Sequence, residues 1–128
     1  MTENFTFRSE VLEKYNSDEE VYDLFMESFD SMPIAAVVNS DYLCMHGGIS
    51  PELAEISDID TINRFIEPPL MGHLCDILWS DPSSDKESRK MTWAKNKDRE
   101  CAYKFGLEPV KNILKKNNLL SIIRAHQV

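Results

Sequence analysis

Leu43-Cys44-Met45-His46-Gly47-Gly48-Ile49-Ser50-Pro51-Glu52 is the stretch on which the fold reading turns. A short apolar run ends in an imidazole, and two glycines come directly after it, where backbone or ligand can come close. Such a pattern reads as a buried strand surfacing into a cleft. A second run, Ile122-Ile123-Arg124-Ala125-His126, ends the same way almost a chain length later. Between them, Cys75-Asp76-Ile77-Leu78-Trp79-Ser80-Asp81-Pro82 is apolar and then abruptly polar. Three strand-like runs that deliver polar groups to their ends predict an α/β protein with a hydrolytic or metal site.

Working outward, Asn39-Ser40-Asp41 separates Ile34–Val38 from Tyr42–His46 and suits a tight hairpin. Ser17-Asp18-Glu19-Glu20 has capping-box form with Ser17 as N-cap, and Val21, Leu24, Phe25 and Phe29 recur at helical spacing. A helix is expected over 18–31, closed by Pro33. Ser50-Pro51 suggests a short helix start, and 58–65 a short helix before Pro68-Pro69. Residues 82–98 carry no period and read as a long surface loop. Leu107–Asn117 places Val110, Ile113 and Leu114 on one face and Lys111, Lys115 and Lys116 on the other, an amphipathic helix capped by Asn117-Asn118. Leu119–Ile123 then reads as a buried strand.

The 128 residues have the length of one domain, with 42% hydrophobic and 28% charged side chains, as in a globular chain. Net charge is −8, and it is uneven: residues 1–64 hold 14 acidic and 3 basic groups, residues 65–128 hold 8 acidic and 11 basic. The overall sign disfavours nucleic acid as a partner, while a local anion site in the second half stays open. No apolar run is long enough to span a membrane and no leader pattern opens the chain. Three scattered cysteines without a Cys-x-x-Cys pair read as reduced thiols, which with the missing leader gives a cytoplasmic expectation.

A lone histidine is more often structural than a ligand, and His73, in a Pro-Pro-Leu-Met-Gly-His loop, is read so. His46 and His126 differ because both come after apolar strands and both adjoin small residues. Trp79 and Asp81 read as a core aromatic and a turn carboxylate rather than as catalytic groups.

The three segments resemble the phosphoprotein phosphatases, the binuclear-metal Ser/Thr phosphatases. His46-Gly47-Gly48-Ile49-Ser50-Pro51 is similar to their His-Gly-Gly segment, Leu78-Trp79-Ser80-Asp81-Pro82 to their Leu-Trp-Ser-Asp-Pro segment, and Arg124-Ala125-His126-Gln127 to their Arg-Ala-His segment. Order and spacing agree along essentially the whole chain. Phe65-Ile66-Glu67-Pro68-Pro69 and Asn117–Ile122 further resemble the calcineurin branch, whereas Gln127 matches the general family pattern. The resemblance implies a partial calcineurin-like metallophosphoesterase fold, a central β-sandwich flanked by helices, with residues 1–128 as the C-terminal portion of the catalytic domain and its N-terminal half missing.

It implies His46 and His126 as two ligands on one metal of a pair, of iron, zinc or manganese, and Arg99 as the grip on the substrate phosphate. The implied reaction is attack of a metal-activated water on phosphoserine or phosphothreonine. Phosphoproteins would be the substrates; a calcium-binding regulatory subunit and calmodulin would be partners whose binding segments are not in the chain. The family's Gly-Asp-x-His-Gly, Gly-Asp-x-x-Asp-Arg-Gly and Gly-Asn-His-Glu blocks do not occur, and Met1–Phe7 resembles the family segment directly beyond Gly-Asn-His-Glu. Glu100 stands where the family has Gly after the arginine, and its carboxylate would compete with phosphate for Arg99. The chain is therefore expected to hold ligands for one metal only, to lack phosphatase activity by itself, and to leave the edges and faces of the Ile34–Val38 and Leu119–Ile123 strands open to aggregation. A non-catalytic remnant that binds phosphatase substrates or regulators is the alternative.

Overall fold

The computed structural model describes residues 2–127. Met1, which begins the Met1–Phe7 segment, and Val128 lie outside the described residues. The chain divides into two compact units, residues 1–32 and 33–128.

The first unit is a pair of helices, α1 (Phe7–Lys14) and α2 (Glu19–Ser31). Phe7 packs between Phe25 and Phe29 with ring centroids 5.5 and 5.4 Å apart. The α2 cap is Asp18, whose carboxylate accepts the Glu20 amide at 3.0 Å, and not Ser17 as the capping-box pattern predicted. Ser17 sits at φ 63° with its amide bonded back to Leu12, so it belongs to the turn leaving α1.

In the second unit, β1 (Ala35–Val38) and β2 (Tyr42–Met45) form the expected antiparallel hairpin. Asn39 and Ser40 take φ of 53° and 58°, a conformation short polar residues tolerate better than bulky ones. A 3-10 helix comes next at Ile56–Thr61, earlier than the helix predicted over 58–65. The Asp58 carboxylate accepts the Ala54 and Glu55 amides and so starts the turn from within. No helix forms at Ser50-Pro51. The Ser50 hydroxyl donates to buried Asp76 at 2.6 Å, and the segment makes a single turn.

The run at Cys75 is α3 (His73–Trp79), not a strand. Leu74, Cys75, Asp76 and Ile77 are all buried, so the helix is covered all round and shows no amphipathic period. Only Asp81–Pro82 is strand, β3. The region read as a loop contains α4 (Asp85–Ser88) and β4 (Trp93–Lys95), too short to leave a periodic signal. β5 (Tyr103–Phe105), α5 (Leu107–Lys116) and β6 (Ser121–Arg124) complete the unit. α5 and its Asn117 C-cap are as expected, with Asn118 at φ 54°.

The strands form two three-stranded mixed sheets, β1-β2-β6 and β3-β5-β4. β6 runs parallel to β2 with Met45 opposite Arg124, so both strands end at the same edge. Leu43, Met45, Ile49, Leu53, Ile77, Phe105, Ile113 and Leu119 make the core. β6 is a sheet edge and not a buried strand: alternation sends Ile123, 53% exposed, to the face opposite Leu43 and Met45. Val37, Val38 and Leu120 are exposed as well.

Gly47 and Gly48 donate their amides to the Ile77 carbonyl at 2.8 and 3.1 Å, satisfying a carbonyl near the end of α3. A Cβ on Gly47 would lie 2.5 Å from the Leu78 carbonyl carbon, and one on Gly48 would run into the Phe105 ring. The close approach these glycines permit is thus to the protein's own backbone and core. Among the described residues no helix is long and apolar enough to cross a membrane.

Glu100 adopts φ 60°. A left-handed conformation costs a non-glycine residue about 1–2 kcal/mol, which gives a backbone reason for the glycine that the family resemblance places there. Glu100→Gly should therefore raise the melting temperature by roughly 3 °C, after the larger unfolded-state entropy of glycine is set against the relief of strain. An unchanged or lower value would show that Glu100 is unstrained.

Candidate functional site

The parallel register of β2 and β6 sets His46 and His126 just past two neighbouring strand ends, and the Ala125 amide bonds to the His46 carbonyl at 3.1 Å. His46 Nε2 and His126 Nδ1 are 3.0 Å apart, with ring centroids at 4.8 Å. His46 is exposed, whereas the His126 side chain is 8% exposed and lies edge-on to Trp79 at 5.4 Å. The backbone of His126 is left-handed, at φ 71°, which turns its ring back toward β2.

Beneath the imidazoles lies Asp81, 1% exposed. Its Oδ2 accepts Asn96 Nδ2 at 2.9 Å and Arg99 Nε at 3.1 Å, and its Oδ1 accepts Arg124 Nη2 at 3.1 Å. Arg124 also donates to the Gly47 carbonyl and to Gln127 Oε1. Arg99 reaches the His126 carbonyl with Nη2 at 3.4 Å. All three sequence-predicted site residues, His46, His126 and Arg99, therefore meet in one place. Sequence reading missed Asn96, and it treated Arg124 only as part of a motif. It placed Asp81 as a turn carboxylate, which understates a group that holds two guanidinium ions. A buried Asp just past a helix, with two arginines further along the chain, was the available signal for the pairing; Asn96 lay in the apparent loop and left none.

The electrostatics stem from this arrangement. Burial acts to raise the Asp81 pKa, but the bonds from Asn96 and Arg99 and the Arg99 charge outweigh it, so the carboxyl stays below its ordinary value. Two guanidinium groups around one carboxylate leave a local excess of positive charge. Burial, and after it the nearby Arg99 charge, lowers the His126 pKa and keeps its imidazole neutral, the form that ligates metals. The expected competition from Glu100 is not seen: the carboxylate on Arg99 is Asp81, and Glu100 is exposed.

As metal ligands the two histidines fit in part. Two nitrogens bound at ~2.1 Å to one ion at right angles are about 3 Å apart, and His46 and His126 have that spacing while they share a proton. His126 Nε2 is buried without a partner, 3.9 Å from Asp81 Oδ1. Among the described residues no group of three or more His, Cys, Asp or Glu side chains could hold an ion.

His73 and the cysteines lie outside this cluster, whereas Trp79 packs against its His126 ring. His73 begins α3 and faces Glu52 at 3.5 Å. The three cysteines are free thiols, and burial, then the neighbouring Cys101, pushes the Cys75 thiol up to about 12.

With strand ends, imidazoles and buried Asp81 in place, the chain belongs to the calcineurin-like phosphoesterase family, whose model matches residues 4–128. It is 43% identical to the serine/threonine-protein phosphatase 2B catalytic subunit A1 of Saccharomyces cerevisiae and 40% identical to subunit A2, in each case over 99% of this chain. Those alignments span 24% and 25% of the relatives' own lengths. A solved protein serine/threonine phosphatase from Saccharomyces cerevisiae, similar to human phosphatase PP5, superposes with a TM-score of 0.81 at 32% identity, over 95% of this chain and 36% of that one. The fold is thus a partial calcineurin-like phosphoesterase domain, and the family is one that uses divalent metal ions.

Two stability outcomes test the buried polar groups. Asp81→Asn leaves Arg99 and Arg124 without their counter-ion, so it should destabilise the chain by about 3 kcal/mol, read by urea unfolding; a loss below about 1 kcal/mol would mean that the guanidinium ions find water instead. Asp76 behaves oppositely, since burial raises its pKa despite the Ser50 bond. Its stabilising contribution is complete below the unfolded value and disappears as pH climbs through the higher folded value. Asp76→Asn should gain on the parent chain as pH rises from below the ordinary Asp value through the raised folded one, and a midpoint difference that does not move with pH would contradict this.

Proposed function

We propose that residues 1–128 correspond to the C-terminal portion of a protein serine/threonine phosphatase catalytic domain of the calcineurin type, and that the cluster at Asp81 is its share of the active site. The observation that carries the reading is the meeting of His46, His126 and Arg99 around one buried carboxylate. In this reading His46 and His126 hold one metal ion, and Arg99 binds the phosphoryl group of a phosphoserine or phosphothreonine.

When bound, a pair of divalent or trivalent ions (iron, zinc or manganese) supplies an activated water and polarises the phosphate. The chain's own residues perform the positioning. Asp81 holds Arg99 by Nε and the His126 carbonyl takes one Nη2 hydrogen, so Nη1 and the second Nη2 hydrogen are the donors for phosphate oxygens in this reading. Arg124 ties the His46 loop to Asp81 through the Gly47 carbonyl, so that the two imidazoles keep their spacing. Trp79 packs on the His126 ring and limits its rotation. The excess positive charge attracts a phosphate dianion and opposes its release.

Phosphoproteins are the substrates this reading implies, with a calcium-binding regulatory subunit and calmodulin as partners of the family type. The alternative reading is a non-catalytic remnant that binds phosphatase substrates or regulators.

The test is binding with manganese and with inorganic phosphate as separate probes. Manganese should broaden the ring signals of His46 and His126, and either His→Ala change should weaken it by at least about tenfold. Phosphate should bind with an affinity that falls at least about tenfold in Arg99→Ala. The 128-residue chain should show no turnover of a phosphoserine peptide with added manganese or with added iron and zinc. Unchanged metal binding in both His variants, or unchanged phosphate binding in Arg99→Ala, would remove the proposal. Robust turnover would remove the one-metal reading.

A further inference from the structure

A cleft of about 700 Å³ opens beside the site and is not used by the chemistry above. Asn96 connects the two, because it bonds Asp81 through Nδ2 while its residue also lines the cleft. Asp76 lines the same cleft, and both residues are 2% exposed. In each, one oxygen has no hydrogen-bond partner: Asp76 Oδ1 and Asn96 Oδ1. Buried acceptors without donors cost about 1–3 kcal/mol each, and the two together mark a place where donors belong.

The rest of the lining specifies which donors. Glu52 and Glu100 add two carboxylates. Against them stand Lys97 and Lys95, and Lys95 is already occupied by the Tyr103 hydroxyl at 3.1 Å and by that ring's face. Carboxylates thus outnumber ammonium groups three to two. Leu70 and Met71, 82% and 78% exposed, form an apolar wall at the mouth. An apolar approach that leads to two unpaired acceptors in a net acidic hollow matches an aliphatic stem that ends in a planar, many-donor cation.

We propose that this cleft binds a guanidinium or alkylammonium group, with Asp76 Oδ1 and Asn96 Oδ1 as the acceptors at its end. The source is a free amine or the side chain of a basic residue in a peptide. Only the peptide source rests on the phosphatase reading, where a basic residue near the phosphorylated one would occupy the cleft while Arg99 takes the phosphate. Burial already raises the Asp76 pKa, and a bound cation would offset that cost.

N-acetyl-arginine methylamide is the probe, titrated into the full 128-residue chain and monitored by the Asn96 side-chain amide and the Ala102 backbone amide in heteronuclear NMR. Saturable shifts with a Kd in the low millimolar range are expected, weakened at least tenfold in Asp76→Asn and about threefold in Glu100→Gln, an exposed change that cannot unfold the chain. The uncharged norleucine analogue should give no such shifts, and Arg99→Ala should keep arginine binding while it loses phosphate. That last pair separates failure of this inference from failure of the phosphatase reading. To distinguish the sources, phosphoserine peptides with and without a neighbouring arginine are compared: a tighter arginine peptide assigns the cleft to substrate, and equal peptide affinities with retained binding of the methylamide assign it to a free amine. Absence of saturation at tens of millimolar, equal shifts from norleucine, or unaltered affinity in both variants overturns the proposal.

Discussion

Asp81 is the buried carboxylate on which the site depends. Three segments far apart in sequence converge on its two oxygens: Asn96 and Arg99 on one, Arg124 on the other. An isolated charge in such a place would be very costly to bury. Paired in this way it becomes a fixed point from which Arg124 reaches the Gly47 carbonyl and so locates His46. The geometry of the imidazole pair thus depends on the Asp81–Arg124 ion pair, neither member of which touches metal or substrate in the proposed reading.

The sheet supplies the other constraint. Parallel pairing of β2 and β6 forces Met45 and Arg124 level with one another, so the residues after them emerge together. Gly47 and Gly48 then let the chain turn tightly against the end of α3, with both amides on the Ile77 carbonyl. This turn brings α3 and the Asp81 segment beneath the histidines. The core, built from Leu43, Met45, Ile49, Ile77 and Phe105, lies behind the same turn, so core packing and site geometry are one arrangement.

Much of the outer face of β1-β2-β6 is apolar and exposed, as Val38 and Ile123 illustrate. The chain spans about a quarter of the length of the phosphatase 2B subunits it matches. Within that span two imidazoles and the Arg99 guanidinium meet at Asp81, and no group of three or more His, Cys, Asp or Glu side chains placed to hold an ion lies among the described residues. The site's electrostatics are nevertheless already set, because Asp81, Arg99 and Arg124 all come from this segment.

Local signals in the sequence determined the hairpin at Asn39-Ser40, the amphipathic α5 and the two histidine-bearing strand ends, since each is written in short-range period or turn chemistry. Motif resemblance brought His46, His126 and Arg99 to one site. Tertiary structure alone decided that the run at Cys75 is a helix, because a segment buried on every side has no period from which to choose. It alone decided that β4 exists, since three residues become a strand only through β5. It also decided the role of Asp81: a carboxylate's partners are fixed by long-range packing, and Asn96, Arg99 and Arg124 lie 15, 18 and 43 residues away from it along the chain.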